Sequence, residues 1–377
     1  MSRRTVLIAG GGTGGHLMPA LAIAGAIREQ APHLEPVLVG ATRGVEARVL
    51  PTRDFRYHLL AAEPIYRRTW WRNARWPIVA ARLAGQVRRL FAEERPAAVI
   101  GTGGYASAPV VWWAARRGLP TAVQEQNAYP GLAVRWLARR ARHIYLGLPE
   151  ALEHMRPGAT TVVFQTGNPI PTPDPGRRPA ASARFGLDGS RPVLLVTGGS
   201  QGSLAINRAV AGWLDAGGGS DAALIWVTGR ATFDEFAARH DPPNVNVIDF
   251  LDPMADGYAV ADVVLGRAGA ITVAELCAWG LPSVLVPLPT AAADHQTHNA
   301  RAVAAAGAGI FLPQAELSAE RLEELVGGLV ASALARGEIA ARALARGRPD
   351  AAADIARRVV TLVEAEQSFA ASDNVLH

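Results

Sequence analysis

The sequence predicts an α/β protein built from two doubly wound domains, each a parallel sheet covered on both faces. Three observations carry that expectation. Short β-branched runs alternate with longer Ala/Leu/Arg-rich runs, the pattern of successive strand–helix–strand units. Val6-Leu7-Ile8-Ala9-Gly10-Gly11-Gly12-Thr13-Gly14-Gly15-His16 is echoed half a chain later by Val193-Leu194-Leu195-Val196-Thr197-Gly198-Gly199-Ser200-Gln201-Gly202-Ser203. Both read as a buried strand, a glycine-rich turn and a helix start. Between the halves lies Asn168–Gly176, where Pro169, Pro171, Pro173 and Pro175 can continue neither a helix nor a central strand. That stretch reads as a linker and divides the chain near residue 167.

Taken in order, the first half should hold strands at Thr5–Ala9, Val37–Gly40, Ala98–Gly101, Thr121–Gln124 and His143–Leu146. The second should hold them at Val193–Thr197, Ala223–Val227, Val245–Ile248, Val263–Leu265 and Ser283–Val286. Leu17–Glu29 and Leu204–Leu214 typify the helical stretches between them. Asp350–Glu366 reads as an amphipathic helix with Ile355, Val359, Leu362 and Val363 on one side. Ser368–His377 lacks periodicity and is expected to fray.

Composition narrows the chemistry. The 38 basic residues are all arginine. Without lysine there is no Walker A loop and no Schiff-base or ordinary pyridoxal-phosphate catalysis. A net charge of +5 suits an acidic substrate or an anionic membrane surface better than bulk nucleic-acid binding. The single cysteine, Cys277, excludes an intrachain disulfide and a Cys-rich zinc site, and its helical context reads as an inert buried thiol. Two uncharged stretches, Ala97–Ala115 and Leu276–Ala293, are interrupted by Gly101, Gly103, Gly104 and Pro109, and by Pro282, Pro287 and Pro289. Neither suits a bilayer span, which needs about 20 predominantly apolar helical residues. Met1-Ser2-Arg3-Arg4 resembles a signal-peptide start, but the apolar run behind it is only Val6–Ala9, so the chain is expected to be cytoplasmic.

The first turn satisfies G-x-G-x-x-G through Gly10, Gly12 and Gly15. Glycines let backbone approach an anion, and the next helix offers unpaired N–H groups. A dinucleotide site also expects an acid at the end of the second strand. Here that strand runs into Gly40-Ala41-Thr42-Arg43, with no acid until Glu46, which argues against NAD. His16 sits in the first helical turn, where the positive helix end disfavours imidazolium by ~0.3–1 kcal/mol. A neutral histidine there is a usable general base, or else one that only caps or packs.

Gly198–Gly202 offers N–H groups and the Ser200 hydroxyl at a second helix start. Gly266-Arg267-Ala268-Gly269-Ala270-Ile271-Thr272 forms a third phosphate-type turn. Glu275, one turn inside the following helix, is placed for a sugar or ribose hydroxyl, or is a solvated carboxylate. Asp294–Asn299 holds His295 and His298, yet no cysteine or carboxylate pair completes a metal set, and no D-x-D occurs. A diphosphate would therefore rest on helix ends and amides rather than Mg²⁺. Gly103–Ser107 and Gln124-Glu125-Gln126-Asn127 follow buried strands, where open α/β sheets bind ligands; a buried amide network is the alternative for the latter.

Tyr66–Pro77 interleaves Trp70, Trp71 and Trp76 with Arg67, Arg68, Arg72 and Arg75. Indole rings sit at headgroup depth while guanidinium meets phosphate, so this stretch reads as a membrane-interface segment. Nucleic-acid stacking and an ordinary core-covering helix are its rivals.

Together these segments resemble the MurG family of peptidoglycan N-acetylglucosaminyltransferases over nearly the whole chain. The shared motifs are G-G-T-G-G-H at Gly11–His16, G-G-Y-A-S at Gly103–Ser107, E-Q-N at Glu125–Asn127 and G-N-P at Gly167–Pro169. They continue with T-G-G-S-Q-G at Thr197–Gly202, R-A-G-A-I-T-V-A-E-L at Arg267–Leu276 and D-H-Q-T-x-N-A at Asp294–Ala300. The resemblance implies a GT-B fold, two Rossmann-like domains facing across a cleft, with the last helix returning to the first domain. Residues 1–166 with 350–367 would then form the acceptor and membrane-associating domain, and 167–349 the donor domain. It implies inverting transfer of N-acetylglucosamine from UDP-N-acetylglucosamine to the muramyl 4-hydroxyl of undecaprenyl-linked lipid I, giving lipid II for cell-wall growth, cell shape and division. The enzyme would work without a cofactor, peripherally, on the cytoplasmic face of the plasma membrane.

By the family pattern Phe250, Leu251 and Met254 lie at the uracil, and Ser200, Gln201, Ala270, Ile271 and Thr272 at the diphosphate. Glu275 meets the ribose, and His295 and Gln296 the sugar. Thr13, Gly14, Gly15, His16, Tyr105, Glu125 and Asn127 hold the acceptor, with His16 the preferred base and Glu125 the second candidate. Pro171, Val134 and Gln124 stand where the family commonly has Arg, Asn and His. A lipid glucosyltransferase acting on diacylglycerol is the nearest rival. A non-hydrolytic binding module or an NAD-dependent oxidoreductase using the first glycine turn is a sharper alternative, and a UDP-N-acetylglucosamine epimerase, which can share the fold, is another.

Overall fold

A computed structural model describes residues 3–64 and 75–373, with side chains as far as residue 365. Trp70, Trp71 and Arg72 of the expected membrane segment lie outside the described residues. The chain divides into two compact units, Met1–Ile170 with Asp350–His377, and Pro171–Pro349.

The first unit is a seven-stranded parallel sheet. Its strands are β1 (Arg4–Gly10), β2 (Leu34–Ala41), β3 (Tyr57–Leu60), β4 (Ala98–Gly103), β5 (Thr121–Glu125), β6 (His143–Leu146) and β7 (Val162–Phe164), in the order β3-β2-β1-β4-β5-β6-β7. Side chains alternate across the strands. Leu7, Val37, Val39, Val99 and Val123 face one way, against Leu83, Val87 and Leu90 of helix α2 (Trp76–Glu94) and Val110 and Val111 of α3 (Ser107–Ala115). Val6, Ile8, Leu38 and Ile100 face the other, against Leu17, Ile23 and Ile27 of α1 (Gly14–Gln30). The same face takes Ile355, Val359, Leu362 and Val363 from the last helix. Full burial of each such side chain is worth about 1.5–3 kcal/mol. The last helix runs Ala351–Asp373, past the fraying expected from Ser368, because no proline or glycine interrupts it.

The second unit is a six-stranded parallel sheet of β8 (Val193–Thr197), β9 (Ala223–Val227), β10 (Val245–Ile248), β11 (Val263–Gly266), β12 (Ser283–Leu285) and β13 (Ile310–Phe311), in the order β10-β9-β8-β11-β12-β13. Ile206, Val210 and Trp213 of α4 (Leu204–Asp215) pack on Leu194, Val196 and Leu224. Three strands escape the sequence pattern: β3, β7 and β13. Each is a sheet edge.

In both sheets the strand order reverses next to the opening strand, at β1/β4 and at β8/β11. Ligands of doubly wound sheets bind beyond the carboxyl ends of the strands at this reversal. The two glycine-rich turns lie there.

Candidate functional site

In the first unit β1 ends at Gly10 and α1 begins at Gly14, with Thr13 as its extended N-cap residue. Thr13, Gly14 and Gly15 are exposed, and the first turn of α1 carries no acidic residue. The positive end of a 17-residue helix therefore faces solvent there. His16 packs against the turn that follows β4. A Cβ on Gly103 would fall 2.7 Å from its Nδ1, and one on Gly104 would fall 3.2 Å from its Cδ2. Only glycine, at φ +99° and +79°, fits both requirements.

The imidazole is oriented from behind. Gln126 Nε2 donates to Thr102 O at 2.7 Å, which turns Gln126 Oε1 toward His16 Nδ1 at 3.2 Å. An amide oxygen only accepts, so in the neutral imidazole Nδ1 carries the proton and the basic lone pair falls on Nε2. Gln126 belongs to a buried amide network: Gln124 Oε1 accepts from its Nε2, Gln124 Nε2 donates to Asn168 Oδ1 at 3.0 Å, and Asn168 Nδ2 donates to Gln126 O at 3.0 Å. Gln124, the departure from the family pattern, is thus paired with the G-N-P motif. Val134 is buried in the helix Leu132–Leu137, and Pro171 is exposed at the start of the second unit.

Glu125 is buried and bridges its own loop. Its Oε1 accepts from Asn127 N at 2.9 Å and Asn127 Nδ2 at 3.1 Å, and its Oε2 from Gly131 N at 2.9 Å. Burial pushes its carboxyl pKa up, against the lowering effect of these bonds. Tyr105 is half-buried, its ring against Gly12.

Sequence reasoning met Glu46 only as an acid too late for a ribose. This fully buried carboxylate accepts from Gly12 N through both oxygens, at 3.0 and 2.9 Å, and from Ala41 N at 2.8 Å. The first acid after the second strand, too late for a dinucleotide ribose, is thus the internal partner of the first glycine-rich turn.

In the second unit the hydroxyl at the helix start belongs to Ser203, not Ser200. Ser203 is the N-cap residue of α4, its Oγ accepting from Ile206 N, while Ser200 and Gln201 stand exposed in the turn before it. Arg267 is buried and ties this turn down. Its Nη2 donates to Ser203 Oγ and Gln314 Oε1, both at 2.7 Å, and its Nη1 to Val286 O and Pro287 O at 3.1 and 2.9 Å.

Helix α5 (Ala270–Trp279) starts beside it, with Gly269 as N-cap residue and no acid in its first turn. Ala270 is buried, whereas Ile271 and Thr272 are half-buried. Glu275 lies on the next turn and accepts from Tyr258 Oη at 3.0 Å. Burial pushes its carboxyl up to about 7, against the lowering effect of that bond. Phe250 is exposed, with the Arg230 guanidinium 4.8 Å from its ring centroid; Leu251 is buried, and Met254 opens the helix Met254–Val260. Gln296 Oε1 accepts from Leu288 N at 2.9 Å, and His295 Nδ1 meets Ala292 O at 2.7 Å. Just before them Ala293 and Asp294 hold φ of +52° and +53°, left-handed backbone that disfavours alanine.

A second surface of the first unit combines indole and guanidinium. Trp112 of α3 stacks on Trp136 of the helix Leu132–Leu137, with centroids 6.4 Å apart. Arg116 lies over Trp112, Arg117 over Trp113 and Arg140 over Trp136, at 5.1, 4.0 and 5.6 Å. Trp136 and Leu132 are exposed. The sequence had pointed to residues 70–76 for this chemistry. Of those described, Arg75 pairs with Glu63 at 2.7 Å and Trp76 opens α2.

Two family models match the chain. The glycosyltransferase family 28 N-terminal domain covers residues 6–146, and the glycosyltransferase family 28 C-terminal domain covers residues 193–355. Among curated relatives, the UDP-N-acetylglucosamine–N-acetylmuramyl-(pentapeptide) pyrophosphoryl-undecaprenol N-acetylglucosamine transferase of Salinibacter ruber is 41% identical, over 95% of this chain and 97% of that protein. The Chlorobium phaeobacteroides protein of the same name is 39% identical, over 95% and 99%. The crystal structure of MurG from Acinetobacter baumannii superposes with a TM-score of 0.76 at 25% identity, covering 95% of this chain and 99% of that one. With both halves matched and relatives aligned nearly end to end, the chain belongs to glycosyltransferase family 28.

Proposed function

We propose that this chain transfers N-acetylglucosamine from UDP-N-acetylglucosamine to the muramyl 4-hydroxyl of undecaprenyl-pyrophosphoryl-muramyl-pentapeptide, with inversion at the anomeric carbon. The donor and acceptor are those in the names of its family 28 relatives. The observation that carries the chemistry is the orientation of His16. It lies at a solvent-facing helix start, with Nδ1 held by Gln126 and the basic lone pair on Nε2.

The first unit takes the acceptor. Thr13, Gly14 and Gly15 at the positive end of α1 meet its pyrophosphate. Tyr105 and Asn127 flank the sugar. His16 Nε2 removes the proton of the attacking hydroxyl as the new glycosidic bond forms and the bond to UDP breaks. Glu125 is the weaker candidate for base, since its oxygens already hold the loop from Asn127 to Gly131; it positions Asn127.

The second unit takes the donor. Phe250, Leu251 and Met254 receive the uracil, Glu275 the ribose hydroxyls, and His295 and Gln296 the transferred sugar. Ser200, Gln201 and the first turn of α5, Ala270–Thr272, receive the diphosphate. In this reading their amides meet the charge that grows as UDP departs, and so stabilise the transition state more than the ground state.

The acceptor's lipid calls for a membrane surface. The Trp112/Trp136 face with Arg116, Arg117 and Arg140 supplies rings for the headgroup region and cations for anionic lipid, together with Arg75 and Trp76. Among the described residues no helix is long and apolar enough to cross a membrane. Peripheral attachment at the cytoplasmic face is part of the same proposal.

Incubation with UDP-N-acetylglucosamine and a short-chain lipid I analogue tests it. Disaccharide product and UDP are expected in equal amounts. Turnover with diacylglycerol but not the muramyl acceptor would favour the lipid glucosyltransferase.

A further inference from the structure

We propose that Glu46 is a positioning residue for the transfer reaction, acting through the Gly11–Gly12 turn on Tyr105 and His16; this rests on the reading of His16 as the base. A glycine-rich turn whose N–H groups converge makes a concavity for anions. In the first unit the chain fills part of that concavity itself, since both Glu46 oxygens accept from Gly12 N and one also accepts from Ala41 N. The fit is close on every side. A Cβ on Gly11, Gly40 or Gly44 would lie 2.2, 2.4 or 2.1 Å from an atom of Glu46.

The opposite side of the same turn carries the reactive groups. A Cβ on Gly12 would lie 2.7 Å from the Tyr105 ring, and one on Gly104 would lie 1.9 Å from Gly11 O. Gly104 in turn abuts His16. The carboxylate, the turn, Tyr105 and His16 therefore form one stack, with no room for a side chain between them. Rate is more sensitive than binding to small shifts in such a stack, because a displacement of about 1 Å can lower turnover about 100-fold.

Glu46→Gln keeps the volume but loses the charge and sets an amide N–H against an N–H of the turn. On the short-chain acceptor its kcat is expected to fall about 10–100-fold, with acceptor KM and the UDP dissociation constant within about threefold of wild type. Glu46→Asp retains the charge and is expected to recover part of the lost kcat. Amide exchange in the peptide spanning residues 9–16 should accelerate about tenfold or more in Glu46→Gln. Wild-type kcat alongside a lowered melting temperature would make Glu46 a structural prop and overturn the proposal. Unchanged exchange in the turn would also overturn it. A wild-type protein that transfers no sugar overturns the functional reading instead, and the exchange measurement then decides the Glu46 contact by itself.

Discussion

In the first unit the turn after β1 closes around a buried anion, Glu46. In the second the turn after β8 is held through Ser203 by a buried cation, Arg267. The two turns share a strand–glycine–helix plan and a position at the strand reversal of their sheets, yet the charge behind them is opposite. A glycine-rich fingerprint therefore specifies backbone shape, and the ion buried beneath it modulates the field that a ligand meets. An internal carboxylate occupies the Gly12 N–H and offsets part of the pull on an anion, leaving a pyrophosphate to the start of α1. An internal guanidinium adds to that pull and favours a diphosphate.

Four variants test that contrast. His16→Ala removes the base from the first unit alone. Its kcat should fall about 10²–10⁴-fold, with UDP affinity by calorimetry unchanged; a wild-type rate would mean that another group takes the proton. Arg267→Met strips the cation from the second unit and takes one donor from each of four acceptors. We expect a 10–100-fold weaker UDP dissociation constant and a loss of roughly 2–4 kcal/mol in urea unfolding. Equal UDP binding by this variant would refute the role given to charge behind the turn.

The double change Trp112→Ser and Trp136→Ser acts on the first unit only. Flotation with anionic vesicles should show about tenfold weaker binding, and UDP affinity should not change.

The smallest effect concerns Glu275. Its folded pKa of about 7 lies above the ordinary 4.5. Between those values the folded protein binds more protons than the unfolded chain, so stability declines as pH rises through that window. Glu275→Gln should flatten the decline, read as urea midpoints across the range. In wild type, uridine binding should strengthen by a few-fold as pH rises through about 7, since the ionised carboxylate is the better acceptor for ribose hydroxyls.

The central strands and the start of α1 were legible because their signals are local. A buried parallel strand is a short continuous apolar run, and glycines followed by helical periodicity locate His16 in a first turn. The edge strands β3, β7 and β13 were not legible. An edge strand has one neighbour and less burial, so its sequence need not be continuously apolar: Tyr57 and Val162 are exposed. Glu46 was seen, but only as an acid in the wrong place for a ribose. Its partner Gly12 is 34 residues away, a contact no spacing rule reports. Arg267 lay inside a quoted motif, yet its tether to Ser203 and Gln314 depends on how three loops meet. The Trp112/Trp136 pair was missed for a similar reason. Its indoles come from separate helices, whereas the stretch at 66–77 concentrates them in sequence.

The last helix, Ala351–Asp373, lays Ile355 and Val359 on the same core as Leu17 and Ile27 of α1. Topologically, the whole of Pro171–Pro349 is an insertion between two parts of one folding unit. On the ribosome the nascent first sheet must wait for the inserted unit to be synthesised before that face is covered, roughly ten seconds to half a minute at ordinary elongation rates. During that interval α1 and the segment around Leu50 cover that layer without the last helix. A premature stop anywhere in the insertion would release a protein with a permanently bare apolar flank, a substrate for chaperones and proteases rather than a weakened enzyme.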